Sequence, residues 1–132
     1  MNCLNAFPFW FGSGLRAYLD RESDIPFDQH CLLASIAPRN LLVTYASDDR
    51  WSNPEGMVQS VWAASEVYRF LGVPEGIAFH LRKGEHSHSP EDWVVLLDFI
   101  GWKWFGKNPQ ADYNSHPYTH LEPAFSWKAP ES

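Results

Sequence analysis

Cysteine is scarce in this chain of 132 residues: only Cys3 and Cys31 occur, and neither stands in a C-x-x-C spacing. A structural zinc and a thioredoxin-type site are therefore not indicated, and one disulfide is allowed without being required. There is no run of lysine or arginine, and 16 acidic against 10 basic residues leave a net charge of -6. That balance repels phosphate backbones and anionic lipid, which argues against nucleic acid and membrane as partners. No stretch approaches the roughly 20 apolar residues of a membrane span. The opening MNCLNAFPFWFGSG lacks the basic flank and long apolar run of a signal peptide. Internal repeats and low-complexity tracts are absent as well.

What is present is an apolar fraction of 45%, ordinary for a globular chain of one domain with a real core. Aromatic residues reach 16%, with seven tryptophans. Flat rings stack on the apolar faces of pyranoses, but core filling is the commoner use, and most of these rings are assigned to it. The composition changes after Phe105, where GKNPQADYNSHP opens a stretch rich in Pro, His and aromatics without helical period. Residues 1–105 therefore read as one body and 106–132 as an irregular extension wrapped on it.

Within that body the segment FDQHCLLASIAPR reads as a short helix over 28–36, with Asp28 in its first turn and Pro38 forcing its end. NLLVTYA, 40–46, is an almost continuous apolar and β-branched run, which suits a strand covered on both faces. A polar loop, SDDRWSNPEG, leads to a helix over 55–71 with Val58, Val61, Trp62, Ser65, Tyr68 and Leu71 on one face and Gly72 at its end. GIAFHL, 76–81, is the next strand, followed by RKGEHSHSPEDW. A last helix starts with Ser89 as N-cap, Pro90 at the first position and Asp92 assisting the cap. Its spacing predicts that Trp93, Leu96, Leu97, Ile100 and Trp104 face the core, with Glu91, Asp98 and Lys103 elsewhere.

The order helix, strand, acidic loop, helix, strand, histidine loop, helix predicts an α/β fold with a parallel sheet and right-handed crossovers. Functional groups in such sheets gather beyond the carboxyl ends of the strands, where both loops fall. An acid after one strand and a histidine after the next match the last two members of a Ser-Asp-His triad in α/β-hydrolase order. A histidine base becomes transiently cationic, and a carboxylate on its other nitrogen fixes the tautomer and stabilises that cation. Of Asp48 and Asp49, only one of two neighbours is expected to face the histidine, and Asp49 is preferred. Of His86 and His88, His86 is preferred because Gly84 permits a tight departure from the strand. His88 stands near the helix cap as a solvated loop residue. A metal site built on His80, His86, His88 and an aspartate is the lesser alternative, because H-x-H alone is a weak signal.

FPFWF, DIPFDQHCLLASIAPRNLLV, ASDDRWSNPEG and LRKGEH with DWVVLLDFIGWKWF, in that order from Phe7 to Phe105, resemble the C-terminal part of bacterial glucuronoyl esterases. The resemblance implies a portion of an α/β-hydrolase fold in a secreted or periplasmic enzyme without metal or cofactor. The implied substrates are esters joining 4-O-methyl-glucuronoyl groups of xylan to alcohols of lignin. It assigns His86, in the Gly-x-His motif six residues before Asp92 and Trp93, as the catalytic histidine. Asp49 corresponds to the acid after the preceding strand, and Trp51 to a tryptophan lining the sugar pocket. Asp28, Gln29 and His30 belong to a recurring segment but are given a structural role, as is Trp93.

One departure stands out. No G-x-S-x-G nucleophile elbow exists here, and GSGL at Gly12 to Leu15 lacks both the spacing and the preceding strand. The expectation is a piece, about a third, of a longer hydrolase domain, holding acid and base but not the serine, and inactive alone. Two alternatives are a noncatalytic carbohydrate-binding or interaction remnant, and a hydrolase of acetyl xylan or peptides.

Overall fold

The computed structural model describes residues 3–130. Two parallel strands form the sheet: β1, Leu41–Ala46, and β2, Ile77–Arg82, paired from Leu41 opposite Ile77 to Ala46 opposite Arg82. Parallel neighbours require a crossover, and here it is a helix, as expected from the sequence. In chain order the helices are α1, Cys3–Ala6; α2, Gln29–Ala34; α3, Pro54–Phe70, which makes that crossover; and α4, Pro90–Phe105. This alternation of helices with parallel strands is the predicted α/β architecture.

Each long helix begins where its cap chemistry dictates. Asn53, at φ 57°, accepts the Gly56 N–H at 3.1 Å and hands the chain to Pro54, whose fixed φ suits the first helical turn. At the far end Gly72, at φ 74°, follows Leu71 in the left-handed conformation that glycine adopts without strain. In α4, Ser89 and Asp92 form a reciprocal capping box. Asp28 is the N-cap of α2, accepting the Gln29 N–H at 2.6 Å, rather than a residue of its first turn.

The core lies between α2, α3 and the sheet. Val58, Val61, Ala64 and Tyr68, at helical spacing along α3, pack with Leu33, Ile77 and Phe79. Burying each such aliphatic or aromatic side chain contributes about 1.5–3 kcal/mol. The Tyr68 hydroxyl, carried inside with its ring, donates to the Arg39 carbonyl at 3.0 Å. Leu71, expected on this face, is instead 46% exposed. β1 is half-buried along Leu41 to Tyr45 instead of covered on both faces.

The α4 face also differs from its prediction. Trp93, Leu97 and Trp104 are 58%, 66% and 68% exposed, whereas Asp92, Val95 and Phe99 point inward. The helix is apolar on more than one side, so spacing alone does not select which stripe is buried. Two anchors select it: Asp92 is drawn in by Arg82, and Asp98 is held by the segment that follows the helix. Lys103, expected elsewhere on the wheel, lies 8% exposed over the Trp102 ring.

From Lys107 to Pro130 the chain has neither helix nor strand, yet it is firmly tied. Gln110 and Ala111 donate backbone N–H groups to Asp98, and the Tyr113 hydroxyl reaches the Val95 carbonyl at 3.0 Å. Asn114 pairs both backbone groups of Phe79, at 2.8 and 3.0 Å, closing that edge of β2 locally. Farther on, Gln59 holds Glu122 and Ala124, and Glu66 accepts the Ala129 N–H at 2.8 Å. Cys31 is a free, exposed thiol; the side chain of Cys3 lies outside the described residues.

Candidate active site

The strand register continues past the strands and sets the height of both loops. The Ser47 N–H donates to the Arg82 carbonyl and the Asp48 N–H to the Gly84 carbonyl, each at 2.9 Å. With the two chains clamped side by side, the next turns bring Asp49 and His86 together. Nδ1 of His86 lies 2.7 Å from Oδ2 of Asp49. Asp48 takes no part; its carboxylate accepts the neighbouring Ser47 hydroxyl at 3.3 Å.

Asp49 is fixed by its own loop. It caps the single 3-10 turn Arg50–Ser52, accepting the Ser52 backbone N–H at 3.4 Å and the Ser52 hydroxyl. The Ser52 hydroxyl, then His86, hold the Asp49 carboxyl below the usual carboxylate range. Tyr45 donates its hydroxyl to the Ser52 carbonyl, bracing the turn from below. The side chain of Asp49 is 10% exposed, that of His86 77%. An ionised carboxylate on Nδ1 places the proton there and leaves Nε2 as the acceptor. Among the described residues nothing hydrogen-bonds Nε2, which is the geometry of a base awaiting a donor.

Trp51 stands beside the pair, 47% exposed, its ring edge-on to His86 at 6.4 Å between centroids. Phe7 meets Trp51 edge-on at 5.4 Å and stacks on Trp10 at 4.1 Å, so three rings form an aromatic wall next to the imidazole. The sequence carries no local signal for joining Phe7 and Trp10 to Trp51, because the contact spans distant segments. A cleft of about 390 Å³ is bordered by Tyr45, Asp49, Ser52, Arg82 and His86.

Arg82 has no role in the sequence reading. Its side chain is 5% exposed, and its guanidinium bonds Asp92 through Nε at 2.9 Å. Nη1 and Nη2 reach the carbonyls of Lys83, Glu85 and Ser87, and Nη2 also reaches the Ser87 hydroxyl at 3.2 Å. Burial pushes the Asp92 carboxyl up, but hydrogen bonds from Ser89 and Arg82 outweigh it and leave the group below the usual range. His88 is half-exposed, edge-on to Trp93 and 3.9 Å from Asp92, as suits a residue beside the cap.

His80 is engaged elsewhere, with the Asp112 carbonyl at 3.2 Å and Glu91 at 3.3 Å. Among the described residues no three His, Cys, Asp or Glu side chains are grouped to hold a metal ion.

A family model described as "Glucuronyl esterase, fungi" matches residues 3–72. The chain is 37% identical over 109 residues to a carbohydrate esterase from an unknown prokaryotic organism, and 36% identical over 110 residues to a 4-O-methyl-glucuronoyl methylesterase of Schizophyllum commune. These alignments cover 71% and 79% of this chain but 25% and 27% of the relatives, so the chain spans about a quarter of their length. Among solved structures, a carbohydrate esterase family 15 glucuronoyl esterase from Caldicellulosiruptor kristjansonii superposes with a TM-score of 0.89 at 38% identity, over 98% of this chain and 34% of that one. The glucuronoyl esterase catalytic domain from Hypocrea jecorina gives 0.68 at 26% identity, over 92% and 34%. With more than half of its residues matching the family model, and the same fold in these structures, the chain belongs to the glucuronyl esterase family.

Proposed function

We propose that this chain carries the acid and base of a serine-type carboxylic ester hydrolase acting on esters of glucuronic acid. The observation that carries the reading is the 2.7 Å contact from His86 Nδ1 to Asp49, with Nε2 turned outward, in a chain of this family. In the reaction Nε2 takes the proton of a serine hydroxyl as its oxygen attacks the ester carbonyl. The resulting imidazolium is stabilised by Asp49 and returns the proton to the departing alcohol, leaving an acyl-serine that water cleaves by the same route. Trp51, edge-on to His86, is the ring that meets the sugar. The nucleophile comes from outside residues 3–130, where no serine hydroxyl bonds Nε2, so this chain alone does not turn over.

The substrate class is the ester of 4-O-methyl-glucuronate, as borne by glucuronoxylan and linked to lignin alcohols, and the enzyme acts in a secreted or periplasmic setting. The name of the Schizophyllum commune relative and the Trp51 wall beside His86 support this choice. Residues 1–105 serve as part of the hydrolase domain and 106–132 as its extension.

Grafting this chain in place of the matching third of the Caldicellulosiruptor kristjansonii esterase tests the proposal. The chimera is expected to hydrolyse the methyl ester of 4-O-methyl-glucuronate, and His86→Ala to reduce kcat by roughly a thousandfold or more. A His86→Ala chimera that turns over like its parent would overturn the assignment.

A further inference from the structure

His86 is 77% exposed, and among the described residues its ring is met by the edge of Trp51 and by the Asp49 carboxylate. Its position must therefore be set through its backbone. One buried guanidinium governs that backbone: Arg82 bonds the carbonyl of Lys83 at 3.2 Å and, on either side of His86, the carbonyls of Glu85 and Ser87. Its remaining edge is locked by Asp92 at 2.9 Å, and Asp92 is locked in turn by the Ser89 N–H at 2.7 Å as the first turn of α4 forms. A planar fork with fixed donor directions holds several acceptors at once, which a lysine ammonium on a flexible stem does not. Gly84 belongs to the same device: a Cβ there would stand 2.7 Å from Arg82 Nη1, at a φ of 129° that side chains rarely adopt.

We propose that Arg82, clamped by Asp92, is a positioning residue for the catalytic base: it fixes the loop so that His86 Nδ1 meets Asp49. This rests on the acid–base reading of His86. Arg82 touches no reacting atom, and its effect passes through the carbonyls of residues 83, 85 and 87. The role goes beyond anchoring the loop, because those carbonyls flank the one side chain whose orientation the reaction needs.

The test is nitrogen-15 NMR of the full chain, following solvent exchange of the His86 Nδ1 proton alongside the Ser47 and Asp48 amides, which report the strand clamp. Arg82→Lys is expected to speed exchange of the Nδ1 proton by at least about tenfold while the two amides stay protected. Should Arg82→Lys lose amide protection altogether, Ser87→Ala decides. That variant removes the hydroxyl that accepts from Arg82 Nη2 at 3.2 Å, together with its long 3.5 Å bond to the Glu85 carbonyl, and is expected to speed Nδ1 exchange by roughly threefold. Unchanged Nδ1 exchange in a folded Arg82→Lys chain, or in Ser87→Ala when that variant decides, overturns the positioning role. A wild-type chain in which Nδ1 carries no bonded proton overturns the acid–base pair itself, which separates the two failures.

Discussion

The acid loop and the histidine loop leave neighbouring strands at the same height, but they are held in opposite ways. In the acid loop one residue does two jobs: Asp49 caps its own turn through Ser52 while it receives His86. In the histidine loop those duties are divided. His86 is exposed and, among the described residues, makes no cap or core contact, while Arg82, Gly84 and Asp92 behind it hold the chain. Damage to the first loop should therefore couple stability to function, whereas the second should allow the two to be separated.

The largest expected effect comes from breaking the support of the histidine loop. Arg82→Ala leaves Asp92 charged and buried without its partner, and unfolding in urea should show a loss of about 3–5 kcal/mol. Gly84→Ala strains a positive φ and crowds Nη1, and the same measurement should give about 1–3 kcal/mol.

In the acid loop, pH is the lever. The folded Asp49 carboxyl titrates below its unfolded value, so its contribution is fully present above the ordinary carboxylate pKa and is lost as pH falls through the depressed folded value. Asp49→Asn should flatten that part of the stability profile between neutral and acid pH. The smallest effect on folding belongs to His86→Ala, whose stability should stay within about 0.5 kcal/mol of the parent. A loss for His86→Ala comparable to that for Arg82→Ala would erase the distinction between the two loops.

Much of this arrangement is legible in the sequence because it depends on local chemistry. The apolar run before SDDRW, the Ser-Pro helix start and the glycine after Leu71 place both strands and both long helices to within a residue or two. The choices of Asp49 over Asp48 and His86 over His88 agree with which side chains meet.

What escapes the sequence is decided between distant residues. Trp93 and Leu97 follow a plausible core stripe, yet α4 turns Val95 and Phe99 inward, because Arg82 and the segment after residue 107 choose among apolar faces that periodicity leaves equivalent. Arg82 itself reads as an ordinary charge at a strand end. Only the closed loop around it reveals a buried one.

The most direct test of the central claim is the tautomer of the His86 imidazole, read from the nitrogen-15 shifts of Nδ1 and Nε2. The neutral form of the ring is expected to carry its proton on Nδ1, bonded to Asp49, with Nε2 bare to accept one from a nucleophile. A ring protonated on Nε2 with Nδ1 bare would contradict it, since that tautomer cannot serve as the base.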